Sequence, residues 1–492
     1  MSDNKKQEKD FTSEVDTLLP ETSSLAKAGK LQEALDKIAV LEKQTRNAAD
    51  PKSTTTLVKT ISEYCYNARD FDLLNSNITL LSKKHGQLKS VIQAMVEQAM
   101  GWLEDIRKKE GDKQWLQLVE TLREVTEGKI FLETPRARVT LLLSRYHEDL
   151  YNKSTSTEEK RKSLETSSEL LSDLQVETYS SMERREKTEF ILEQMRLLIA
   201  VARLKDDVAK AEGKDSLAGG DAEWVKARVG GRKVNEGFLK EPENEVFIHA
   251  FRVLAMAHEF DMQDLKLKFY DLMIQHALHQ SSYLDVAKYY HKVWETPSIK
   301  DDVNDKGKTA LEHIVYYIVL SPHDNEQSDM LNRIYLNPAL EKLQLHCNLV
   351  KCFVTRELMR WPGIIELYGE FLRATPVFSI EKRWEDMHTR VIEHNIRVVA
   401  AYYTRITLSR LTALLDLDRK QTEETIARLV VGKTIWARID RPTEIVTFRS
   451  QRSAEDVMND WSSDMQKLLG LVEKTWMGMN AAQAAQSRIK AS

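Results

Sequence analysis

The chain of 492 residues exceeds one ordinary domain of about 100 to 200 residues, so it holds either several domains or an array of repeats. With 42% apolar residues it can build a core, which excludes disorder as its overall state. A formal net charge of −4 excludes a general attraction to nucleic acid or anionic lipid, although a local basic patch stays open.

Three cysteines, Cys65, Cys347 and Cys352, lack the spacing of a zinc finger and are typical of reduced thiols. The amino terminus is polar, and no apolar run approaches the roughly 18 residues that a membrane helix needs. The sequence therefore predicts a soluble protein of the cytoplasm and nucleus that has no membrane partner.

Amphipathic helices separated by short polar breaks recur along the chain from its first residues to about residue 390. The segment 28–46 is typical and places four apolar side chains on one stripe, those of Leu31, Leu35, Ile38 and Leu41. A helix pair of this kind cannot bury its own apolar face, so successive pairs must stack. We predict an all-α fold built as a helical-repeat solenoid similar to tetratricopeptide arrays. An irregular helical bundle is the alternative.

Two stretches interrupt this rhythm. Residues 213–237 contain six of the 17 glycines and no sustained helical stripe, which predicts a loop or mobile connection. Residues 154–163, STSTEEKRKS, predict a solvated turn.

The pattern changes near the carboxyl end. Residues 395–405 predict an apolar helix, Ser409 is placed to cap a second short helix, and residues 421–433 predict a third helix that stops at Gly432. Two alternating segments, 434–440 and 444–450, then predict a small β-hairpin. Three helices followed by a hairpin are the layout of a winged helix.

Many winged helices bind DNA. Between Arg405 and Arg452 there are ten basic and six acidic residues, which permits contact with phosphates. The third helix, which would enter the major groove, begins with Glu423 and Glu424, however, and an acidic pair seldom leads a helix that reads bases. We therefore expect this winged helix to contact protein, and we expect no nucleic-acid partner.

A long apolar stripe follows the winged helix, marking one extended helix beyond the compact domain. Its members are Trp461, Met465, Leu468, Leu469, Val472, Trp476 and Met479. Such a face needs a cover, supplied either by the same chain or by helices of other subunits. The two wing strands likewise leave edges that another sheet could extend.

Helical repeats that lead into a winged helix and a tail helix resemble the PCI family. Segments 128–150, 226–245, 264–296 and 433–442 are similar to the non-ATPase subunits in the lid of the 26S proteasome regulatory particle. The resulting predicted domains are a helical-repeat solenoid (1–237), further repeats of the PCI region (238–394), the winged helix (395–452), and a bundle helix with its tail (453–492).

The resemblance implies a non-catalytic scaffold, and no cofactor. Its partners would be other lid PCI subunits and the lid deubiquitinase, with the solenoid reaching toward the ATPase ring and the core particle. A signalosome scaffold and an RNA-contacting subunit of a translation initiation factor are the alternatives. The candidate subunit interface comprises Ile435, Trp436, Ile445, Val446, Phe448, Trp461, Met465, Leu468, Leu469, Val472 and Trp476.

One segment departs from the family pattern. In the family the acidic stretch that ends at 245 runs straight into 264, whereas here the 18 residues 246–263 intervene. The length is in frame, valine codons begin with GT, and the commoner glutamine codon ends with AG, so an unspliced intron is one interpretation. A genuine helical insertion is the other, because Phe247, Phe251, Leu254 and His258 lie at helical spacing. Sequencing the transcript across this junction distinguishes them.

Catalytic and metal-site motifs fail on their spacing. GKT at 432–434 lacks the earlier glycine of a phosphate loop, since Ala427 stands there. His276 and His279 are one helical turn apart but lack the glutamate of the HExxH motif. We expect both histidines to be packed or surface residues, and we expect His346, Cys347 and Cys352 to belong to the core.

Overall fold

A computed structural model describes residues 11–154, 156–211, 220–239, 252–300, 306–448 and 454–491, and of residues 211, 252–262 and 485–491 it describes the backbone only. The chain forms two compact units, residues 1–280 and residues 281–492. Long helices account for most of both units, which confirms the all-α prediction.

The amino-terminal unit is helical throughout its described residues. Its helices are α1 (Thr12–Lys27), α2 (Leu31–Asn47), α3 (Pro51–Asn67), α4 (Phe71–Lys83), α5 (Lys89–Gly101), α6 (Leu103–Lys109), α7 (Asp112–Thr126), α8 (Glu133–Lys153), α9 (Thr157–Ser172), α10 (Arg184–Ala211), α11 (Asp221–Lys233) and α12 (Arg252–His279), with 3₁₀ turns at Ile130–Leu132 and Val176–Thr178.

Each of these helices packs mainly against helices near it in the chain, as α2 does against α1 and α3, and α8 against α7 and α9. The predicted stripe of α2 faces this core, where Leu35, Ile38 and Leu41 are buried and Leu31 is partly buried. Stacked helix pairs of this kind are the arrangement that a helical repeat needs to bury its apolar face.

Local signals set the helix boundaries. The Asp50 carboxylate accepts hydrogen bonds from the backbone N–H groups of Lys52 and Ser53 and so caps the start of α3. Gly29, between α1 and α2, has φ +80°, a left-handed conformation that glycine adopts without strain.

The predicted loop at 213–237 is wrong over 221–233, which form α11, and its residues 213–219 lie outside the described part of the chain. Trp224 and Ala227 are buried at helical spacing. Gly230 and Gly231 do not break the helix but let it approach its neighbours closely. A Cβ at Gly230 would lie 2.9 Å from Met195 Cγ, and one at Gly231 would lie 2.7 Å from Met273 Sδ.

The predicted turn at 154–163 is also wrong in part, because α9 begins at Thr157. Glu158 and Glu159 lie in its first turn, where carboxylates interact favourably with the helix dipole. The charged residues of this segment therefore lie on a solvated face of a helix and not in a turn.

The intervening segment 246–263 is described only in part. Residues 246–251, with Phe247 and Phe251, lie outside the described residues, whereas the backbone of 252–263 is helical and continuous with α12. A helix is what the insertion hypothesis expects of 252–263, but the transcript alone decides between that hypothesis and an unspliced intron.

The carboxy-terminal unit contains the remaining elements. They are α13 (Tyr283–Trp294), α14 (Pro297–Lys300), α15 (Lys306–Leu320), α16 (Asn325–Tyr335), α17 (Pro338–Glu341), α18 (Gln344–Val354), α19 (Trp361–Ile364), a π-helical turn (Ile365–Gly369), α20 (Glu370–Arg373), α21 (Glu381–Tyr402), β1 (Arg405–Thr407), α22 (Leu408–Leu415), α23 (Arg419–Val431), β2 (Ala437–Asp440), β3 (Ile445–Phe448) and α24 (Ala454–Ala491).

Helix α15 is central in this unit, because it packs against α13, α16, α18 and α21. Its residues 314–320 are all buried. Asn395 on α21 fixes the loop before α19, since its side chain accepts from the Met359 N–H at 2.8 Å and donates to the Met359 carbonyl at 2.6 Å. These bonds satisfy a buried amide on both its donor and its acceptor side.

The winged-helix prediction needs two corrections. The apolar helix predicted for 395–405 ends at Tyr402, and Arg405–Thr407 instead form a third strand, β1. Ser409 is not the cap of α22, because the helix begins at Leu408, Thr407 is the N-cap residue, and no side chain caps it. The Ser409 hydroxyl instead donates to Thr407 Oγ1 at 3.4 Å.

Candidate functional site

The winged helix carries a three-stranded antiparallel sheet in the order β1-β3-β2. Ile406 pairs with Val446 on one side of β3, and Ile439 pairs with the same residue on the other side. Because β3 is central, the unpaired strand edges of this sheet belong to β1 and β2. The predicted two-stranded hairpin missed β1, whose three residues are too few for an alternating pattern to register.

Two residues predicted to contact other subunits instead belong to the chain's own core. Val446 is 0% exposed and Phe448 is 4% exposed, and both pack with Ile396, Leu411 and Ile426. Side chains on one strand alternate between faces, so both point to the buried face of the sheet. The predicted interface role of Val446 and Phe448 is therefore wrong for their side chains.

The other predicted wing residues are more accessible. Trp436 is 38% exposed, Ile445 is half-buried, and Ile435 is partly buried and packs against the winged-helix core. Trp436 consequently offers the largest apolar surface of the three to a partner. A charge at Ile435 would disturb this core as well as any contact.

Ion pairs tie the acidic start of α23 to the wing. The Glu423 carboxylate lies 3.2 Å from Arg441 Nη2 and 3.6 Å from Arg419 Nε, and Arg419 Nη1 lies 2.6 Å from Glu444 Oε1. These pairs place carboxylates beside Arg419 and Arg441, two of the basic residues counted above as candidates for phosphate contact. The geometry therefore weakens the DNA-binding reading further.

Helix α24, the tail helix, presents its apolar stripe to solvent. All residues from Ala454 to Ala484 are exposed, and Trp461 and Leu469, for example, are 65% and 60% exposed. The predicted tail residues Trp461, Met465, Leu468, Leu469, Val472 and Trp476 are all among the exposed large apolar side chains. The alternative, that this stripe folds back onto the same chain, does not hold for the described residues, since none of them covers it.

The tail stripe is a large apolar surface for a folded chain. A contiguous exposed apolar surface on a monomer rarely exceeds a few hundred Å², and larger ones mark interaction sites. Leu471, Met477 and Met479 widen the stripe, and they too are exposed. The arrangement can therefore bury apolar area against a partner helix or bundle.

The two histidines one turn apart on α12 are packing residues, as expected. His279 stacks on Trp224 with ring centroids 4.1 Å apart, and its Nε2 lies 3.3 Å from Asp206 Oδ2. Trp224 Nε1 donates to that same oxygen at 2.9 Å. His276 is buried, and burial lowers its pKa. Within the described part of the chain no cluster of three or more potential ligands could hold a metal ion.

The other residues considered as ligands or nucleophiles are also packed. His346 is buried, its Nε2 lies 2.8 Å from the Tyr316 hydroxyl, and burial lowers its pKa to about 4. Cys347 and Cys352 are half-buried, and burial raises the pKa of the Cys352 thiol. A thiol with a raised pKa is a poor nucleophile at neutral pH.

None of the described helices combines the length and the apolar character that crossing a membrane requires.

Three protein-family models match the chain. The model described as PSMD12/CSN4, N-terminal, matches residues 33–302, the PCI domain matches residues 350–450, and the 26S proteasome regulatory subunit RPN5 C-terminal domain matches residues 455–476. The last match covers the part of the tail helix that carries Trp461 to Trp476.

Curated relatives agree with these matches. The chain is 38% identical to the 26S proteasome non-ATPase regulatory subunit 12 of Dictyostelium discoideum, over 96% of this chain and 94% of the relative. It is 37% identical to the 26S proteasome regulatory subunit RPN5 of Saccharomyces cerevisiae, over 95% and 94%. Similarity to the COP9 signalosome complex subunit 4 of Arabidopsis thaliana is 24% identity over 39% of this chain and 47% of the relative.

Proposed function

The chain belongs to the family of the 26S proteasome regulatory subunit RPN5, also called non-ATPase regulatory subunit 12, and from this membership we propose that it is a non-catalytic scaffold subunit of the proteasome lid. In that role it joins neighbouring PCI subunits and helps to position the lid deubiquitinase for ubiquitin-dependent protein degradation.

The observation that carries the proposal is the uncovered tail helix. Most of its large apolar side chains, Leu468 and Val472 among them, are more than half exposed. Burying one such side chain is worth roughly 1.5 to 3 kcal/mol, so the stripe as a whole supplies a large driving force for association. A helix that is apolar along one face and has no cover of its own is suited to a bundle with helices of other chains.

The winged-helix sheet supports the same proposal. Strands β1 and β2 lie at its two edges, where backbone N–H and C=O groups are free to pair with a strand from another subunit. Trp436, just before β2, is the exposed aromatic beside one of these edges. Aromatic side chains of this kind are enriched at protein interfaces.

The remaining parts of the proposal rest on the family resemblance. The amino-terminal helical repeats reach toward the ATPase ring and the core particle, and the tail helix enters a bundle of lid subunits. The particle works in the cytoplasm and the nucleus, so the chain is proposed to occupy both compartments.

A scaffold role in the COP9 signalosome is the second candidate. It is favoured by the shared PSMD12/CSN4 family model over residues 33–302. The match to the signalosome subunit covers only 39% of this chain, however. The matches to the two proteasome subunits named above cover at least 94% of this chain and at least 94% of each relative. The extent of the match therefore favours the proteasome.

Mass spectrometry of a native pull-down tests the proposal. The chain, tagged at its amino terminus, should recover the other lid subunits, the deubiquitinase, the ATPases and the core particle. Recovery of signalosome subunits alone would favour the second candidate. A purified chain that stayed alone in extract, cleaved ubiquitin chains by itself, or bound RNA with a steep dependence on salt would contradict the lid scaffold.

A further inference from the structure

A cavity of about 540 Å³ lies in the carboxy-terminal unit, lined by residues from α16, from the end of α18 and from α21. This volume falls within the usual range of ligand pockets, about 300 to 1,000 Å³. Neither the tail helix nor the winged-helix sheet lines it. The cavity is therefore separate from the surfaces that are proposed to contact other lid subunits.

The charged groups that line the cavity are basic. Arg397 and Arg356 contribute guanidinium groups, His323 and His394 contribute imidazoles, and none of the described residues that line the cavity is acidic. A cavity with positive groups and no lining carboxylate attracts an anion.

Arg397 carries most of the argument, because its charge is half-buried and unpaired. It has no hydrogen-bond or ion-pair partner within the described chain, and burial lowers its pKa to about 10, so it stays charged at neutral pH. Glu393, on the same helix, raises the pKa of Arg397 through its charge, but its direct ion pairs are with Arg390 Nη1 at 2.6 Å and with Arg428 Nε at 3.9 Å. A partly desolvated guanidinium without a carboxylate costs free energy that a bound carboxylate would recover.

The arginines, and not His394, supply the positive charge of the cavity. Burial, followed by the charge of the neighbouring Arg397, lowers the pKa of His394 to about 4, so this imidazole is neutral at pH 7. His394 Nε2 lies 3.3 Å from the Glu357 carbonyl, and the ring packs edge-on against Phe353. His394 therefore forms part of a neutral wall beside the Arg397 charge.

The rest of the wall is mixed, with the polar side chains of Gln327, Ser328 and Asn332 beside apolar ones. Leu331, Phe353, Val354 and Val398 line the cavity together with the arginines. Inorganic phosphate would leave this apolar surface unused, whereas a carboxylate side chain next to an apolar side chain would use both. The planar guanidinium also matches a carboxylate through two parallel hydrogen bonds.

We propose that this cavity binds a segment of another polypeptide in which a glutamate or aspartate is flanked by apolar residues, with the carboxylate held by Arg397 and Arg356. Both arginines line the cavity, and Arg397 is half-buried whereas Arg356 is exposed. The proposal does not depend on the proteasome assignment, because binding is a property of the isolated chain.

Fluorescence polarisation on the purified full-length chain tests the proposal. The probe is a labelled pentapeptide, Gly-Leu-Glu-Leu-Gly, with blocked ends, and its matched control is Gly-Leu-Gln-Leu-Gly. The glutamate peptide is expected to bind at least about tenfold more tightly than the glutamine peptide, a difference of about 1.4 kcal/mol. Equal binding of the two peptides, or binding of neither, would overturn the proposal.

Variants assign the binding to the cavity. Arg397→Gln should weaken the glutamate peptide at least tenfold, and Arg397→Lys should restore part of the affinity because it keeps the charge but loses the planar fork. Arg333→Gln, an exposed arginine of α16 that is paired with Asp329, should leave the affinity unchanged. A loss of the same size in Arg333→Gln would mean that general surface charge binds the peptide, which contradicts the cavity site.

Two further measurements address the cases in which Arg397→Gln does not fold or the cavity binds a small anion. Thermal unfolding shows whether Arg397→Gln is folded, and if it is not, Arg356→Gln carries the same comparison, with an expected several-fold loss because Arg356 is exposed. Competition with inorganic phosphate separates a peptide from a free anion. Displacement by phosphate as effective as displacement by unlabelled glutamate peptide would overturn the proposal in favour of a small-anion site.

Discussion

The winged helix and the tail helix are both rich in large apolar side chains, and both were predicted to contact other subunits. In the winged helix, Val446 and Phe448 are almost completely buried within the chain, whereas in the tail helix Trp461 and Leu469 are at least 60% exposed. Apolar patterning thus identifies a face that must be covered, but it does not say whether the chain itself supplies the cover.

The difference has a simple geometric cause. Helices α21, α22 and α23 pack with the three strands around one small core, so an inward side chain in β3 finds neighbours within its own chain. The tail helix begins after that core and is 38 residues long, about 57 Å at a rise of 1.5 Å per residue. A helix of this length leaves its stripe to other polypeptides unless its own chain folds beside it.

The largest effect on folding is expected in the winged-helix core. Phe448→Ala should lower the free energy of unfolding by about 3 to 5 kcal/mol, because it removes a buried ring and leaves a cavity. Chemical denaturation of the purified chain measures this change. An unfolding free energy within about 0.5 kcal/mol of the wild type would mean that Phe448 is not a core residue.

Val472→Asp should show the opposite behaviour. It should change the free energy of unfolding by no more than about 0.5 kcal/mol, because the side chain is exposed in the isolated chain. Its incorporation into the lid should fall roughly 10- to 100-fold, since about 1.5 to 3 kcal/mol of apolar burial is lost on docking. Quantitative pull-down of the lid measures incorporation.

Ser463→Asp is the matched control, because it introduces the same carboxylate on the opposite, polar face of the tail helix. It should leave incorporation near the wild-type level. Normal incorporation of a folded Val472→Asp chain would count against the tail as an interface.

Low pH should destabilise the folded core and not the tail helix, because the core contains buried histidines and the tail helix contains none. Burial lowers the pKa of His346 and of His394 to about 4, so the folded chain holds both imidazoles neutral. An unfolded histidine takes up a proton near pH 6.5, so stability is fully present above this pH and is lost as the pH falls toward 4. Each histidine contributes a slope of up to about 1.4 kcal/mol per pH unit.

Denaturation of the wild type between pH 7 and pH 5 measures that slope, and His346→Gln should reduce it by removing one of the histidines whose pKa burial lowers. Equal slopes in the wild type and in His346→Gln would show that His346 does not contribute. The tail stripe contains no titratable side chain, so its apolar contacts should not follow this dependence.

The smallest effect is expected at the wing. Trp436→Ala should change the unfolding free energy by less than about 1 kcal/mol, because the side chain is 38% exposed. It should weaken lid incorporation less than Val472→Asp does. Ile439, the third residue of β2, packs on the winged-helix core, so Ile439→Ala should instead act mainly on stability. The reverse ranking would place the interface on β2 and not on the tail.

Much of the fold followed from the sequence. Helical periodicity located the repeats and the tail, because apolar spacing is a local property that a short window contains. Strand β1 was missed because three residues hold too little pattern, and α11 was mistaken for a loop because Gly230 and Gly231 serve close packing against Met195 and Met273.

The candidate site was less accessible to prediction. The inward orientation of Val446 depends on which face of β3 meets the three helices, and a period of two is the same for either face. The ion pair of Glu423 with Arg441 joins α23 to the turn after β2, so no spacing along the chain predicts it, whereas Arg419 and Glu423 are four residues apart on α23 itself. The exposure of the tail stripe likewise depends on where the rest of the chain lies.

Site-specific photo-crosslinking tests most directly whether other polypeptides cover the tail stripe. A photoreactive phenylalanine analogue is placed at Val472, or at Ser463 on the opposite face, and the cells are irradiated before the particle is purified. Covalent products between position 472 and another lid subunit, with few from position 463, are the predicted result. Products that join position 472 to its own chain, or none at all, would contradict the account.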